Sequence, residues 1–417
     1  MKIRVGIEAI AFDVPHLYLD LAELAQARGV DPAKYTRGLG QRQMAVASSG
    51  DDTVALAVGA GRRLFEQFQI DRESVGLLIV GTETSVDQSK PVSSYVHEHL
   101  GLSPQCRSFE TKHACYGAMA GLQAATDWVL SGRAAGRKAL VIASDVARYG
   151  IKTAGEPTQG AGSVAMVISS EPRLLEFETG RQGFFSQQVM DFWRPTYSKD
   201  ALVDGHYSMA CYIKALLASY DMYAPGATEG ASEPGFFQSF QACLYHAPFA
   251  KMAQKAHLAL LAHVAGTELL PETPAYAAAL EDYSRRVAPY LELQSRIGNT
   301  YTGSLFMALR SLLEDGVFQG SPAISLFSYG SGCAAEFMTA RVCEGAAALL
   351  RRHPYRLQLD ARTRVSVDEY EKLMEAAARM DQNGSFALGS PEASGAGARK
   401  VLFHGVKDHQ RQYRPSH

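Results

Sequence analysis

Short apolar segments constrain the fold of this chain more than any other feature. Five of them have the length of a β-strand and are rich in Val, Ile or Leu. They are Val5–Ile10, Val75–Val80, Ala139–Ala143, Val164–Ile168 and Ala323–Phe327. Each is almost continuously apolar, without the alternation of a half-exposed strand, and this is typical of strands buried on both faces.

Helical patterns lie between these segments. They cover Thr53–Phe68, Gly117–Ser131, Lys251–Val264 and Tyr301–Leu313. In the first of them, apolar residues recur at intervals of three and four, which is the period of one helix face. Strands that alternate with helices predict a layered α/β fold.

Other segments interrupt this pattern. Tyr223–Phe236 is rich in Gly and Pro and predicts a loop or insertion, whereas Gly266–Pro289 predicts surface helices. Asn383–Ala398 predicts a flexible link, and Lys400–Gly405 a short final strand followed by a basic tail. No internal repeat is visible, although 417 residues suffice for a duplicated domain.

Charge and composition exclude several classes of protein. Lys and Arg number 41 and Asp and Glu 43, so no overall basic field exists to hold nucleic acid or an anionic membrane. Six cysteines without a CxxC pair predict neither a disulfide framework nor a zinc finger, and favour a reducing, cytoplasmic location. The N-terminus lacks the long apolar stretch of a signal peptide, and no segment has the length of a transmembrane helix.

Cys115 lies in KHACYGAMAG, the segment that most clearly indicates a reactive side chain. It follows a polar turn and opens a helix of small residues. The positive end of a helix dipole lowers the pKa of a thiol, which predicts a nucleophile. The alternative is a buried, inert cysteine.

Two further segments offer acid–base groups. Glu83 follows the apolar strand Val75–Val80, and the carboxyl ends of strands are where open α/β folds place their sites. His246 precedes a helix on which Lys251 and Lys255 share one face, and two ammonium groups on one face suit a phosphate-bearing ligand. The alternatives are a solvated glutamate, a structural histidine and a solvated lysine face.

Two turns complete the set of candidates. One is the segment GNTYTGS around Asn299, and the other is the Gly-rich turn FSYGSG around Ser331, whose backbone N–H groups are suited to an oxyanion hole. A cysteine with a separate histidine and carboxylate allows either a cysteine hydrolase or an acyl-thioester condensing enzyme. Spacing alone does not decide between them.

Taken together, these segments resemble the hydroxymethylglutaryl-CoA synthase family of the thiolase superfamily. Nine motifs occur in the order of the family: GTETSVD, KHACYGA, SDVARYG, GEPTQGAG, DFWRP, VDGHYS, YHAPFAKMAQKA, GNTYTGSL and FSYGSG. GEPTQGAG and DFWRP favour the bacterial type. The resemblance implies a five-layered thiolase-like α/β fold and a homodimer. It also implies two similar halves, 1–170 and 171–417, the second with insertions near 221–240 and 266–289.

The resemblance also implies roles for individual residues. The catalytic residues fall on Glu83, Cys115 and His246. Substrate-binding positions fall on Thr158, Ser208, Lys251, Lys255, Asn299 and Ser331, and supporting positions on Asp145, Tyr149, Asp191 and Tyr301. His113 departs from the family, many of whose members carry Gln there.

The implied reaction transfers acetyl from acetyl-CoA to Cys115 and condenses it with acetoacetyl-CoA, without a metal or a cofactor. One alternative is a polyketide β-branching enzyme of the same family, whose substrates are bound to acyl carrier protein. The other is a non-catalytic binding protein of this fold, which the presence of Glu83, Cys115 and His246 disfavours. The two lysines and DFWRP favour free CoA.

Overall fold

The structure is a computed structural model that describes residues 3–198, 200–224, 235–380, 384–388 and 401–415. The strands up to residue 169 are β1 (Gly6–Asp13), β2 (Leu17–Asp20), β3 (Gln43–Val46), β4 (Val75–Gly81), β5 (Arg107–Thr111), β6 (Lys138–Ala147) and β7 (Gly160–Ser169). The helices in this part are α1 (Leu21–Ala27), α2 (Thr53–Phe68), α3 (Val92–Leu100) and α4 (Gly117–Leu130).

The rest of the described chain contains further strands and helices. The strands are β8 (Leu175–Phe177), β9 (Gly183–Ser186), β10 (Phe192–Trp193), β11 (Leu202–Val203), β12 (Ala242–Tyr245), β13 (Ala323–Gly330), β14 (Ala334–Val342), β15 (Thr363–Arg364), β16 (Phe386–Ala387), β17 (Val401–Lys407) and β18 (Gln410–Pro415). The helices are α5 (Gly205–Tyr223), α6 (Ala250–Ala265), α7 (Pro274–Arg286), α8 (Glu292–Ile297), α9 (Ser304–Asp315), α10 (Ala346–Leu350), α11 (Tyr355–Asp360) and α12 (Val367–Met380).

The main sheet repeats one arrangement of strands. Its strand order is β12-β13-β14-β8-β1-β7-β6-β4-β5, and β9 also pairs with β14. From β1 outward to β4, the first two pairings are antiparallel and the next is parallel. From β8 outward to β12 the same sequence of directions recurs. The two strand groups are therefore built alike, although no sequence repeat reveals it.

Burial explains why the apolar segments form the centre of the fold. Every residue of β1, β4 and β7 is buried, which confirms the prediction of strands covered on both faces. Each of the five predicted strands overlaps an observed one, and the predicted helix Thr53–Phe68 matches α2 residue for residue.

The structure differs from the sequence predictions at two places. The helix predicted from Tyr301 begins at Ser304, after a short 3₁₀ turn, because the Asn299 side chain accepts hydrogen bonds from the Tyr301 N–H and the Ser304 hydroxyl. The basic segment after the predicted final strand is itself a strand. It forms β18, which pairs with β17, and its Arg411 forms an ion pair with Asp52 at the start of α2.

Some predictions concern segments that are only partly described. Residues 225–234 of the predicted loop lie outside the described residues, as does most of the predicted link after Asn383. Helix α7 confirms the helical character of Gly266–Pro289. Within the described ranges, no helix has both the length and the apolarity to cross a membrane.

Candidate active site

Cys115 lies in a turn that both strand groups contact. The turn connects β5 to α4, and Ala114 within it has a φ of 41°, in the strained left-handed region. A Cβ on Gly81, the last residue of β4, would lie 2.4 Å from Ala118 in α4. A Cβ on Gly330, the last residue of β13, would lie 2.5 Å from the Tyr116 nitrogen. The glycines thus let both strands approach the turn closely.

Glu83 is the immediate neighbour of the thiol. The Cys115 Sγ lies 3.7 Å from the Glu83 Oε1, with the sulfur as donor. Burial and the negative charge of Asp145 raise the pKa of Glu83 to about 8, and the positive charge of Arg194 opposes this shift. Glu83 is therefore a carboxyl group that exchanges its proton near neutral pH, as a general base must.

The prediction of a lowered thiol pKa is wrong. Desolvation and the negative charges of Glu83 and Asp145 raise the pKa of Cys115 well above its usual value. These effects outweigh the helix dipole, which acts over only the first turn of a helix and here begins two residues later. Cys115 is therefore a protonated thiol at rest and needs a base to become a nucleophile.

Asp145 holds the backbone at Glu83 through hydrogen bonds. One carboxylate oxygen accepts hydrogen bonds from the Glu83 N–H at 2.9 Å and from the hydroxyl groups of Thr82 and Thr84, each at 2.8 Å. The other accepts the Thr302 hydroxyl at 2.6 Å. Burial raises the pKa of Asp145, and these hydrogen bonds oppose the rise. The carboxylate thereby joins the ends of β4 and β6 to the turn before α9.

His246 follows β12 at the same edge of the sheet as Gly330. Its backbone N–H donates to the Phe327 carbonyl at 2.7 Å, and its carbonyl accepts the Tyr212 hydroxyl at 2.7 Å. Burial lowers the pKa of the imidazole to about 3, so the ring is neutral and acts as a hydrogen-bond donor instead of a strong acid. Within the described part of the chain, the ring forms no hydrogen bond to Cys115 or Glu83.

Asn299 joins three of the other predicted residues. Its amide Nδ2 donates to the Tyr149 hydroxyl at 2.9 Å, and its Oδ1 accepts the Tyr301 N–H at 2.8 Å. Its backbone N–H donates to the Thr158 carbonyl at 3.1 Å. Burial and the charges of Cys115 and Glu83 raise the pKa of Tyr149, which shows that this cluster lies within electrostatic reach of the thiol.

Asp191 holds the turn that contains Ser331. Its carboxylate accepts the Gly332 N–H at 2.9 Å, the Tyr329 hydroxyl at 2.7 Å and the Ser208 hydroxyl at 3.4 Å. The structure therefore brings Asp191, Ser208 and the Ser331 turn together. Tyr329 was not among the predicted residues, although it stands within the motif FSYGSG.

Tyr212 is a second residue that the sequence analysis missed. It lies one helical turn after Ser208 on α5, and its hydroxyl holds the backbone of His246. A tyrosine among the many apolar residues of α5 carries no signal of its own in the sequence.

Lys251 and Lys255 lie on α6, the first half-buried and the second exposed. The Lys255 Nζ lies 3.2 Å from the Met209 sulfur, next to Ser208. A cleft of about 940 Å³ opens beside Glu83, apart from these lysines. Glu83, His113, Phe192 and Arg194 line this cleft, and neither lysine does.

Metal-binding potential is low in the described part of the chain. No group of three or more His, Cys, Asp and Glu side chains there is placed to hold a metal ion. The polar groups at the site instead suit acyl transfer, since they provide a thiol, a base and hydrogen-bond donors.

Two family models match the chain. The N-terminal model of hydroxymethylglutaryl-coenzyme A synthase matches residues 2–172, and the C-terminal model matches residues 175–265 and 270–397. The division predicted at residues 170 and 171 stays a prediction.

Individual relatives agree with the family models. Hydroxymethylglutaryl-CoA synthase of Enterococcus faecalis is 40% identical over 88% of this chain and 91% of its own length. The polyketide biosynthesis 3-hydroxy-3-methylglutaryl-ACP synthase PksG of Bacillus subtilis is 33% identical over 90% and 89%.

Solved structures agree as well. MvaS in complex with 3-hydroxy-3-methylglutaryl coenzyme A is 45% identical, with a TM-score of 0.90 over the whole of both chains. The curacin pathway HMG synthase with apo donor-ACP is 31% identical, with a TM-score of 0.89 over 99% of this chain and 100% of its own. The chain belongs to the hydroxymethylglutaryl-CoA synthase family of acyl-transferring condensing enzymes, is of the bacterial type, and has the thiolase-like α/β fold.

Proposed function

We propose that this protein condenses an acetyl group on Cys115 with acetoacetyl-CoA and hydrolyses the adduct to 3-hydroxy-3-methylglutaryl-CoA. The observation that carries the proposal is the contact of the Cys115 thiol with Glu83, a carboxyl group whose pKa is raised to about 8. One group thereby serves two proton transfers that the reaction needs, from the thiol and from the acetyl methyl group.

In the first step, Glu83 takes the proton of the Cys115 thiol. The thiolate attacks the carbonyl carbon of acetyl-CoA, the carbon–sulfur bond to CoA breaks, and CoA leaves. Covalent capture of the acetyl group separates this transfer from the condensation, so the kinetics should be ping-pong. The departing CoA sulfur takes this proton from Glu83, so CoA leaves as a thiol and Glu83 becomes a carboxylate again.

In the second step, Glu83 removes a proton from the methyl group of acetyl-Cys115. The 3.7 Å separation of the Cys115 Sγ and the Glu83 Oε1 leaves this methyl group within reach of the carboxylate. The enolate oxygen requires fixed donors, and we assign them to the backbone N–H groups of Cys115 and Ser331. Contact of Gly330 with the Cys115 turn supports the assignment.

In the third step, the enolate attacks the ketone carbon of acetoacetyl-CoA. The neutral imidazole of His246 donates a hydrogen bond to the ketone oxygen as negative charge develops there. The alkoxide then takes up one proton to become the hydroxyl of the product, which balances the proton that Glu83 removed from the methyl group. Asn299 orients the acetoacetyl group, since the Tyr149 hydroxyl and the Tyr301 N–H hold its amide. Water finally hydrolyses the Cys115 thioester. None of these steps requires a metal or a redox cofactor.

We propose free CoA as the carrier of both substrates. Thr158, Ser208, Lys251 and Lys255 are the residues that we assign to the CoA and product site. Identity supports CoA over acyl carrier protein, because it is 40% to the E. faecalis CoA enzyme and 33% to PksG. The homodimer and the cytoplasmic location stay predictions.

Turnover with the two carriers tests this choice. We expect acetoacetyl-CoA to be converted with a kcat/KM at least about tenfold above that of acetoacetyl carrier protein. A preference for the carrier protein would identify the chain as a polyketide β-branching enzyme. Absence of turnover with both would overturn the proposed function itself.

A further inference from the structure

Arg194 is a cation without a hydrogen-bond or ion-pair partner among the described residues. It is half-buried and lines the cleft of about 940 Å³ together with Glu83 and His113. Within the described ranges, its guanidinium forms neither a hydrogen bond nor an ion pair. A half-buried guanidinium that no carboxylate neutralises is costly, and it is suited to bind an anionic ligand.

The local backbone directs Arg194 toward the reacting groups. It follows Phe192 by two residues in an extended segment, and Pro195 restricts it to extended conformations. Side chains two apart in such a segment share a face. The Phe192 ring packs edge-to-face on Tyr149 and Tyr301, at 6.2 Å and 5.9 Å between centroids. Arg194 therefore lies on the side of the segment that faces the Asn299 cluster.

Electrostatics place the same guanidinium close to Glu83. The positive charge of Arg194 opposes the raised pKa of Glu83, and it likewise opposes the raised pKa of Tyr301. The other arginines of the cleft are engaged, since Arg411 forms an ion pair with Asp52 and Arg148 has an interaction of its own.

The reaction itself creates an anion at this place. Water adds its oxygen to the thioester carbonyl carbon, the carbon–sulfur bond to Cys115 breaks, and the sulfur takes one proton. The new carboxylic acid releases the other proton, so a carboxylate appears beside the thiol. Asp145 and Asp191 already place negative charge around this thiol, and Glu83 adds to it when it is ionised. A carboxylate formed there needs a cation to offset their repulsion.

We propose that the Arg194 guanidinium binds the carboxylate that hydrolysis releases from Cys115. This role rests on the proposed function, because only the hydrolytic step produces the anion. Arg194 thereby makes the product site specific for an acid instead of a neutral acyl end. Because the positive charge stabilises the carboxylate product, it also favours hydrolysis of the Cys115 thioester.

The binding affinities of the product and of an uncharged analogue test the proposal. The ligands are 3-hydroxy-3-methylglutaryl-CoA and its analogue with a carboxamide in place of the carboxylate. We expect the native enzyme to bind the acid at least about tenfold more tightly than the amide, as a charge-assisted contact provides. Arg194→Gln should abolish this preference, and Arg194→Lys should keep part of it.

Lys112→Gln is the matched control, because Lys112 is an exposed cation that lines the same cleft. It should keep the preference for the acid. Equal loss in Arg194→Gln and Lys112→Gln would overturn the proposal, as would an Arg194→Gln variant that weakens acid and amide alike. Acetylation of Cys115 in each variant shows that the site is folded. Its absence in the native enzyme would instead refute the proposed function.

Discussion

The Cys115 sulfur lies 3.7 Å from a carboxyl oxygen of Glu83, and the negative charge of Glu83 raises the pKa of the thiol. Burial and Asp145 raise the pKa of Glu83 in turn, against the hydrogen bond from Cys115, which lowers it. A thiol in this position does not ionise spontaneously near neutral pH. Its reactivity depends on whether the neighbouring carboxyl group is free to accept a proton. The pair therefore links the rate of acetylation to the protonation state of Glu83.

This linkage predicts the pH dependence of the first step. Below its pKa of about 8, Glu83 is protonated and cannot accept the thiol proton, so acetyl-enzyme formation should accelerate as pH rises and level off above that value. Single-turnover acetylation measured from about pH 6 to about pH 9 gives the midpoint. Glu83→Gln should be slow and without this midpoint. The same inflection in Glu83→Gln would assign it to another group.

The raised pKa of Glu83 also predicts a cost in stability. The folded protein holds a proton up to about pH 8 that the unfolded chain loses near its ordinary pKa of 4.5. The free energy of unfolding should therefore fall as pH rises between these values, by on the order of a few kcal/mol. Glu83→Gln removes this loss, so its Tm should exceed that of the native protein increasingly toward pH 8. Glu281→Gln, an exposed counterpart, should show no such trend. A constant Tm difference across pH would contradict the shifted pKa.

His246 should affect condensation and not acetyl transfer. Enzyme preloaded with acetyl on Cys115 should react with acetoacetyl-CoA about 10²–10⁴-fold more slowly in His246→Ala, since a donor to the developing alkoxide is lost. Rapid-quench kinetics measures both steps. His263→Ala, near the end of α6, is the control. A pH inflection near the ordinary histidine value that disappears in His246→Ala would show that the imidazole is protonated in the reaction, against its lowered pKa.

Lys251 and Lys255 should bind the nucleotide end of the CoA ester. Exchange of both for Glu should raise the KM for acetoacetyl-CoA about two- to tenfold with a smaller change in kcat, because the contact is equal in ground and transition states. The effect should weaken with salt. A pantetheine thioester without the nucleotide should react equally with both enzymes. Exchange of the exposed Lys372 and Lys407 for Glu is the matched control. Equal loss on both thioesters would contradict the assignment.

The sequence predicted the layers of the fold because its strands are buried on both faces, and burial leaves a continuous apolar signal, as in β4 and β7. It did not reveal the repeated strand order, since two strand groups of equal topology within one sheet need no common sequence. Nor did it predict the β17–β18 hairpin, whose attachment depends on Arg411 meeting a residue 359 positions away.

The site was predicted to a similar extent. Motifs indicated Glu83, Cys115 and His246 as separate candidates, and the structure joins the first two. The sign of the thiol pKa was wrong, because local sequence shows the helix that follows Cys115 but not the carboxyl groups that surround it. Tyr212 was missed because its hydroxyl binds the backbone carbonyl of His246, a contact between distant residues that local sequence does not show.

Covalent capture of acetyl on Cys115 is the claim on which the rest depends. The direct measurement is incubation with isotopically labelled acetyl-CoA, followed by peptide mapping of all six cysteines. The account predicts one labelled peptide, which contains Cys115, and no label in Cys115→Ala. Label on Cys106 or Cys333 with Cys115 unmodified would contradict it.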